Sequence, residues 1–294
     1  MTDIIDFIRP TNAFELAAFA KNHHDTYPFI EPMGTELSGK SILITGASKG
    51  IGLATAVRCA KAGCAQIAVA ARSSLESVVK EIKDEAAKCG VELPHILPLS
   101  MDVTSDESVK AASLKLEAAF GGEVRHPRKQ RRTVIESDPI EWWKAWEVNV
   151  KGTFLCCHYF LPFVLSSDTK IVVNLSSVGA HTLSYGASSY QTSRFANVRL
   201  NEFLARDHED EKLIAISLHP GGVKTDMAAN FPEVLHFSLA DELALPADTI
   251  IWLAKERRDW LNGRFVWSNW DLEEVEGKKD EIIEKDLFKF RMTG

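Results

Sequence analysis

Thr45-Gly46-Ala47-Ser48-Lys49-Gly50-Ile51-Gly52 decides how this chain folds. It follows the apolar run Ile42-Leu43-Ile44 and precedes a helix-patterned stretch over residues 53–62. A strand that turns through glycines into a helix N-terminus makes an anion cradle. Glycine lets the backbone approach phosphates closely, and the free N–H groups of the helix end face the negative charge. The stretch therefore predicts a dinucleotide site, with Gly46, Ser48, Lys49, Gly50, Ile51 and Gly52 around the pyrophosphate.

Outward from this loop the pattern alternates. Strands are expected at residues 66–71, 96–101, 171–175 and 213–218, and helices at 77–89, 105–120 and 190–204. Within 77–89 the apolar residues Val78, Val79, Ile82 and Ala86 recur at helical spacing. Such alternation predicts an α/β fold, a doubly wound parallel sheet in a single domain with helices on both faces. A last strand is expected at 263–267 and a polar helix at 273–287. Residues 1–37 read as an N-terminal extension packing on the core. They carry a capping box at Asn12-Ala13-Phe14-Glu15 ahead of a helix to Lys21, and an extended stretch at 27–33. The main domain is expected over 38–270 and a polar tail over 271–294. Trp260, Trp267 and Trp270 read as packing residues.

With 294 residues and 45% apolar content the chain can bury one large core, and its net charge of −7 gives no reason to expect nucleic acid or an anionic membrane as partner. The five cysteines, Cys59, Cys64, Cys89, Cys156 and Cys157, form no CxxC and no histidine pairing at zinc spacing. They read as reduced thiols of a cytoplasmic protein without a metal site. No apolar run reaches transmembrane length by the sequence, and the acidic start Met1-Thr2-Asp3 does not fit a signal peptide.

Four pieces follow one another in order. Asn149 lies in Val148-Asn149-Val150-Lys151-Gly152, and Ser177 follows the strand at 171–175. Tyr190 opens a helix thirteen residues later, and then comes Pro220-Gly221-Gly222-Val223-Lys224-Thr225. Alone, Ser177 reads as a turn serine and Tyr190 as a helix-start aromatic. Together with the glycine loop they resemble the classical short-chain dehydrogenase/reductase family, in a fungal-type subgroup, over about residues 38–270. The resemblance implies a Rossmann-like fold and hydride transfer between a nicotinamide cofactor and a ketone or secondary alcohol. Tyr190 would be the general acid/base, Ser177 would hydrogen-bond the substrate oxygen, and Asn149 would hold a relay water. Asp102 and Val103 would contact adenine, and Val223 and Thr225 the carboxamide. The family is commonly oligomeric, which implies a homo-oligomer. Phe231, Leu235 and Phe237 of the pocket-lining stretch point to a fairly hydrophobic small-molecule substrate.

Two departures qualify the resemblance. Where the family has Tyr-x-x-x-Lys, this chain has Tyr190-Gln191-Thr192-Ser193-Arg194. A tyrosine works near neutral pH only if its pKa, ordinarily about 10, is lowered, and a neighbouring cation does this. At i,i+4 Arg194 keeps that charge on the same helix face and can still donate to a ribose hydroxyl of the cofactor, but it cannot release a proton. The expectation is reduced turnover. Second, the family's fourth strand, ending Asn-Asn-Ala-Gly, is replaced by Glu123-Val124-Arg125-His126-Pro127-Arg128-Lys129-Gln130-Arg131-Arg132. Proline and clustered cations do not enter a central strand, so this segment is expected as a solvated loop and the fourth strand as disrupted. Either the segment is genuine and the protein degenerate, or residues 123–135 come from a shifted splice junction. A non-redox enzyme on the same scaffold (epimerase, dehydratase or cyclase) and a catalytically impaired binding protein are the alternatives to an oxidoreductase.

The second strand ends Ala70-Ala71-Arg72-Ser73-Ser74. An acidic residue there would select NAD by binding the ribose 2′-hydroxyl. Arg72, beside Ser73 and with Lys49 from the glycine loop, instead offers cations to a 2′-phosphate, which predicts NADP(H).

Overall fold

The computed structural model describes residues 8–9, 17–119, 134–225 and 239–291. After a two-residue strand β1 (Ile8–Arg9), the chain alternates through β2 (Ser41–Thr45), α1 (Gly50–Lys61), β3 (Gln66–Ala71), α2 (Glu76–Cys89), β4 (His95–Ser100) and α3 (Asp106–Ala119). The second half contains α4 (Pro139–Trp146), a π-helical turn (Glu147–Lys151), α5 (Gly152–Ser166), β5 (Ile171–Leu175) and β6 (Leu183–Ser184). It ends with α6 (Ser188–Asp207), β7 (Ile214–His219), α7 (Ala244–Lys255), β8 (Phe265–Trp267), α8 (Leu272–Gly277) and α9 (Lys279–Glu284). The expected strands and helices therefore form within a few residues of their predicted bounds. The polar tail helix is an exception: it is split at Lys278 into α8 and α9. Residues 27–31 are another. They make a helical turn, with Ile30 and Glu31 N–H both donating to the Tyr27 carbonyl, where an extended stretch was expected. The capping box at 12–15 lies outside the described residues.

All ladders within the two larger sheets are parallel, in the orders β2-β3-β4 and β5-β7-β8. β3 is buried along nearly its whole length, as a strand covered on both faces must be. Helices α1 and α2 cover one face: Ala56, Cys59, Val78, Ile82 and Ala86 meet Ile67 and Val69. Helices α3 and α5 cover the other, where Leu116, Leu155 and Phe160 meet Ala68, Ala70 and Leu99. Among the described residues no strand pairs with both β2 and β5. The segment expected to replace that strand falls mostly on residues 120–133, outside the described residues.

The continuous helical run over Pro139–Ser166 corrects one expectation: by length and composition it is apolar enough to cross a membrane. The sequence hid this because Glu147 and Lys151 interrupt the apolar run, whereas the backbone stays helical through them. Leu155, Cys156, Cys157, Phe160 and Leu161 are buried in the core, which accounts for the apolar character of α5.

The halves are tied together through α1 and α7. Asp248, fully buried on α7, accepts Arg58 Nε at 2.6 Å and Nη2 at closer range, and Thr26 Oγ1 at 2.5 Å. Burial pushes the Asp248 carboxyl above its ordinary range, against the opposing pull of Arg58 and Thr26. The pair is therefore costly to break. Arg58→Met leaves a buried carboxylate uncompensated and should lower unfolding stability by about 3–5 kcal/mol in urea titrations, whereas the double variant Arg58→Met/Asp248→Leu should recover most of that loss.

Candidate active site

The strand β5 ends where polar residues replace the apolar run, at Ser176-Ser177. Ser176 N–H donates to Leu218 O at 2.7 Å, which extends the β5–β7 ladder by one residue. Ser177 then caps a short 3₁₀ turn, Val178–Ala180, its Oγ accepting the Gly179 N–H at 3.0 Å. A hydroxyl that accepts this bond still has its own hydrogen to donate. Gly179 is where two site residues meet. A Cβ there would stand 3.1 Å from Tyr190 Cε1 and 3.2 Å from Ser177 Oγ, so both side chains flank this glycine and a larger residue would press them back by a few tenths of an ångström.

Tyr190 lies in the first turn of α6, and Arg194 one turn later. The Arg194 guanidinium carbon stands 5.1 Å from the Tyr190 ring centroid, within cation–π range. Arg194 is nevertheless turned inward. It is buried, its Nη1 donates to Leu175 O at 3.0 Å, and its Nε has no partner. The expected donation to a ribose hydroxyl thus falls to the remaining edge of the fork.

Asn149 sits in the π-helical turn between α4 and α5, a local widening found often at functional sites. Its Nδ2 donates to Ser193 Oγ at 2.9 Å, and Ser193 Oγ donates to Tyr190 O at 2.8 Å. The buried Asn149 Oδ1 lacks a partner. Ser193, fully buried, was not singled out by sequence; its only signal is a small polar residue inside the Tyr190–Arg194 turn.

The glycine loop has the backbone expected of it. Gly46 and Gly50 take φ of 53° and 59°, and a Cβ at Gly52 would come within 2.6 Å of Gly46 O. These conformations leave open the concave backbone that a pyrophosphate fills, so the residues fit a dinucleotide. Thr225 packs over the loop, its Cγ2 3.5 Å from where a Cβ of Gly50 would lie, and Val223 is buried two residues before it. Ser48 and Ile51 are half-buried in the loop and Lys49 is exposed. At the outer edge, Arg72, Ser73, Ser74, Pro98 and Ser100 line a cleft of about 570 Å³. Arg72 Nη1 lies 3.9 Å from Asp102 Oδ2. Burial alone would raise the Asp102 carboxyl, but hydrogen bonds from the Thr104 N–H and hydroxyl and the Arg72 charge outweigh it and hold the group below its ordinary range. Val103 touches Gly152 at the start of α5, which joins the β4 edge to the Asn149 turn.

His219, at the end of β7, was missed by sequence although it is a polar residue closing an apolar strand. Its Nδ1 accepts the Val178 N–H at 3.2 Å, which fixes the peptide after Ser177. That bond requires a neutral ring, and burial pushes His219 down to about 3; burial likewise pushes His181 down to about 4. Below the ordinary value of 6.5 an unfolded chain takes up protons on these histidines and the folded one does not. Stability contributed by the neutral rings is thus complete above about pH 6.5 and is lost as pH falls toward about 4, by about 1.4 kcal/mol per pH unit for each ring. Urea unfolding measured from pH 7 to pH 4.5 should show this slope, and His219→Gln should make it shallower.

Comparison with known proteins bears on the family and the fold. The chain matches the short chain dehydrogenase family over residues 40–235. It is 40% identical over 279 residues to the short chain dehydrogenase citE of Monascus ruber, covering 93% of this chain and 96% of that one. Among solved structures, an Escherichia coli CFT073 chain described as a short chain dehydrogenase and complexed with NADPH aligns with TM-score 0.69 at 25% identity, over 81% of this chain and 99% of that one. Carveol dehydrogenase of Mycobacterium avium, in complex with NAD, shares the fold with TM-score 0.68 at 17% identity, over 79% of this chain and 97% of that one.

Proposed function

The chain belongs to the short-chain dehydrogenase/reductase family, and on that premise we propose that it is an NADP(H)-dependent oxidoreductase interconverting a ketone and a secondary alcohol. The observation that carries this reading is that Ser177 Oγ and the Tyr190 ring edge both flank Gly179, with the Arg194 cation beside the ring. In the reductive direction Tyr190 donates its phenolic proton to the carbonyl oxygen as charge develops there. Ser177 donates its free hydrogen to the same oxygen and holds it in place. Arg194 favours the phenolate left behind. Asn149 Oδ1, buried and without a partner, holds the water through which Tyr190 regains a proton. When bound, the nicotinamide cofactor supplies or accepts the hydride at the carbonyl carbon.

The two solved relatives carry NADPH and NAD respectively, so the choice of cofactor rests on this chain's own cations, exposed Arg72 and Lys49. The fungal relatives support a role in secondary metabolism, and a cysteine pattern without a CxxC supports a cytoplasmic setting. Exposed Phe154, Phe195 and Phe203 on α5 and α6 support a homo-oligomer. Phe231, Leu235 and Phe237, proposed to favour a hydrophobic substrate, lie outside the described residues. A second reading, a non-redox enzyme on this scaffold, draws on Arg194: a guanidinium bonded to Leu175 O cannot pass a proton onward. It differs in requiring NADPH binding without NADPH consumption.

Thermal unfolding with each cofactor tests the cofactor assignment. NADPH should raise the midpoint and NADH should not, and Arg72→Ala should remove the difference; equal shifts with both cofactors in the unaltered protein would overturn the preference. Turnover tests the cation. Arg194→Lys restores a side chain able to relay protons and should raise kcat by about ten-fold. An unchanged or lower kcat would show that the arginine is not what limits the reaction.

A further inference from the structure

We infer that Asp241, completed by His24 from the N-terminal segment, is a positioning residue that fixes the turn Gly221–Thr225 against the glycine loop; this rests on the cofactor site proposed above. Both residues lie outside the family-matched span of 40–235. Asp241 is buried and holds the Gly222 peptide from both sides. Its Oδ2 accepts the Gly222 N–H at 2.5 Å, and its own N–H donates to Gly222 O at 3.1 Å. The fit admits no side chain at Gly221, where φ is 84° and a Cβ would stand 2.5 Å from Asp241 Oδ2.

The carboxylate is in turn held from outside the turn. Asn269 Nδ2 donates to Oδ2 at 2.9 Å, and His24 Nδ1 donates to Oδ1 at 2.6 Å. His24 is locked by its neighbours, since His23 N–H donates to Asn269 O at 2.7 Å and Glu242 N–H donates to His24 O at 2.9 Å. Every oxygen of Asp241 is therefore occupied, one by the turn and Asn269, the other by the N-terminal segment. A buried carboxylate with both oxygens hydrogen-bonded is stiff, and its stiffness is passed to the peptide it grips. Three residues beyond Gly222 the chain reaches Thr225, which packs on Gly50. The distance between the carboxamide-side turn and the pyrophosphate cradle is thus set by a clamp built from the N-terminal segment, Asn269 after β8 and Asp241 before α7.

The clamp can be tested without disturbing any residue that would touch cofactor or substrate. His24 has an exposed side chain, so His24→Ala should fold normally. Hydrogen exchange of the unliganded protein should show the amides of Gly222 to Thr225 exchanging about five-fold faster in His24→Ala, with β3 amides unchanged. NADPH should bind that variant about five-fold more weakly, and Asp241→Asn more weakly still. His24→Gln, whose amide can donate in place of the ring, should restore both values toward those of the unaltered protein. Unchanged exchange in the turn in both His24→Ala and Asp241→Asn would overturn the clamp. An unaltered protein that binds neither NADPH nor NADH would instead overturn the cofactor reading, and the exchange rates would still decide the clamp.

Discussion

The site spans two parallel half-sheets, and everything chemical depends on how rigidly they are held together. The glycine loop belongs to β2-β3-β4, whereas Ser177 and Tyr190 belong to the half built on β5-β7-β8. Among the described residues no strand ladder joins β2 to β5, and side chains on α1 and α7 link the halves. Asp248, gripped by Arg58 from α1 and Thr26 from the N-terminal segment, is one such tie: its carboxylate is fully buried and its two partners are half-buried. A buried carboxylate of this kind adds less net stability than an apolar contact would, but it tolerates only one arrangement of its partners. It confers geometry at the cost of stability, and geometry is what a two-half active site needs.

The same logic runs through the catalytic side. Ser177 and Tyr190 both flank Gly179, the π-helical turn carries Asn149 toward Ser193, and His219 holds the peptide after Ser177. The substitution of arginine for the family lysine preserves positive charge beside Tyr190 while turning part of the guanidinium toward Leu175 O. Charge stabilisation and proton relay are separable functions of that position. On the function proposed here, the first is kept, because a delocalised cation still acts through space, and the second is lost, because arginine does not deprotonate.

The N-terminal segment bears on function although it carries no motif. Thr26 helps tie α1 to α7, and His24 completes the hydrogen bonding of Asp241 beside the Gly221–Thr225 turn. Tyr27 donates to Trp270 O and accepts the Leu272 N–H at 2.7 Å, anchoring the segment to the end of the chain. A short stretch outside the family-matched span thereby reaches both the joint between α1 and α7 and the Gly221–Thr225 turn.

The glycine loop, the alternation of strands with amphipathic helices, and the order Asn149, Ser177, Tyr190, Arg194 were legible in the sequence because each is local. Positive φ demands glycine, β-strand burial demands an apolar run, and an i,i+4 pair shares a helix face. The turn at residues 27–31, the split of the tail helix at Lys278, and the unbroken helix through Glu147 and Lys151 were not, since each depends on what the segment packs against. Still less visible were Ser193, His219, Asp241 and His24. They are single polar residues whose partners lie from 19 to 217 positions away or, for Ser193, across a helix pair. The sequence by itself determined the fold class and the chemical identity of the groups at the site, because those follow from short-range backbone and side-chain preferences. Only the tertiary structure decided which polar groups are shut away from water, and so which hydrogen bonds fix the distance between the cofactor cradle and the catalytic residues.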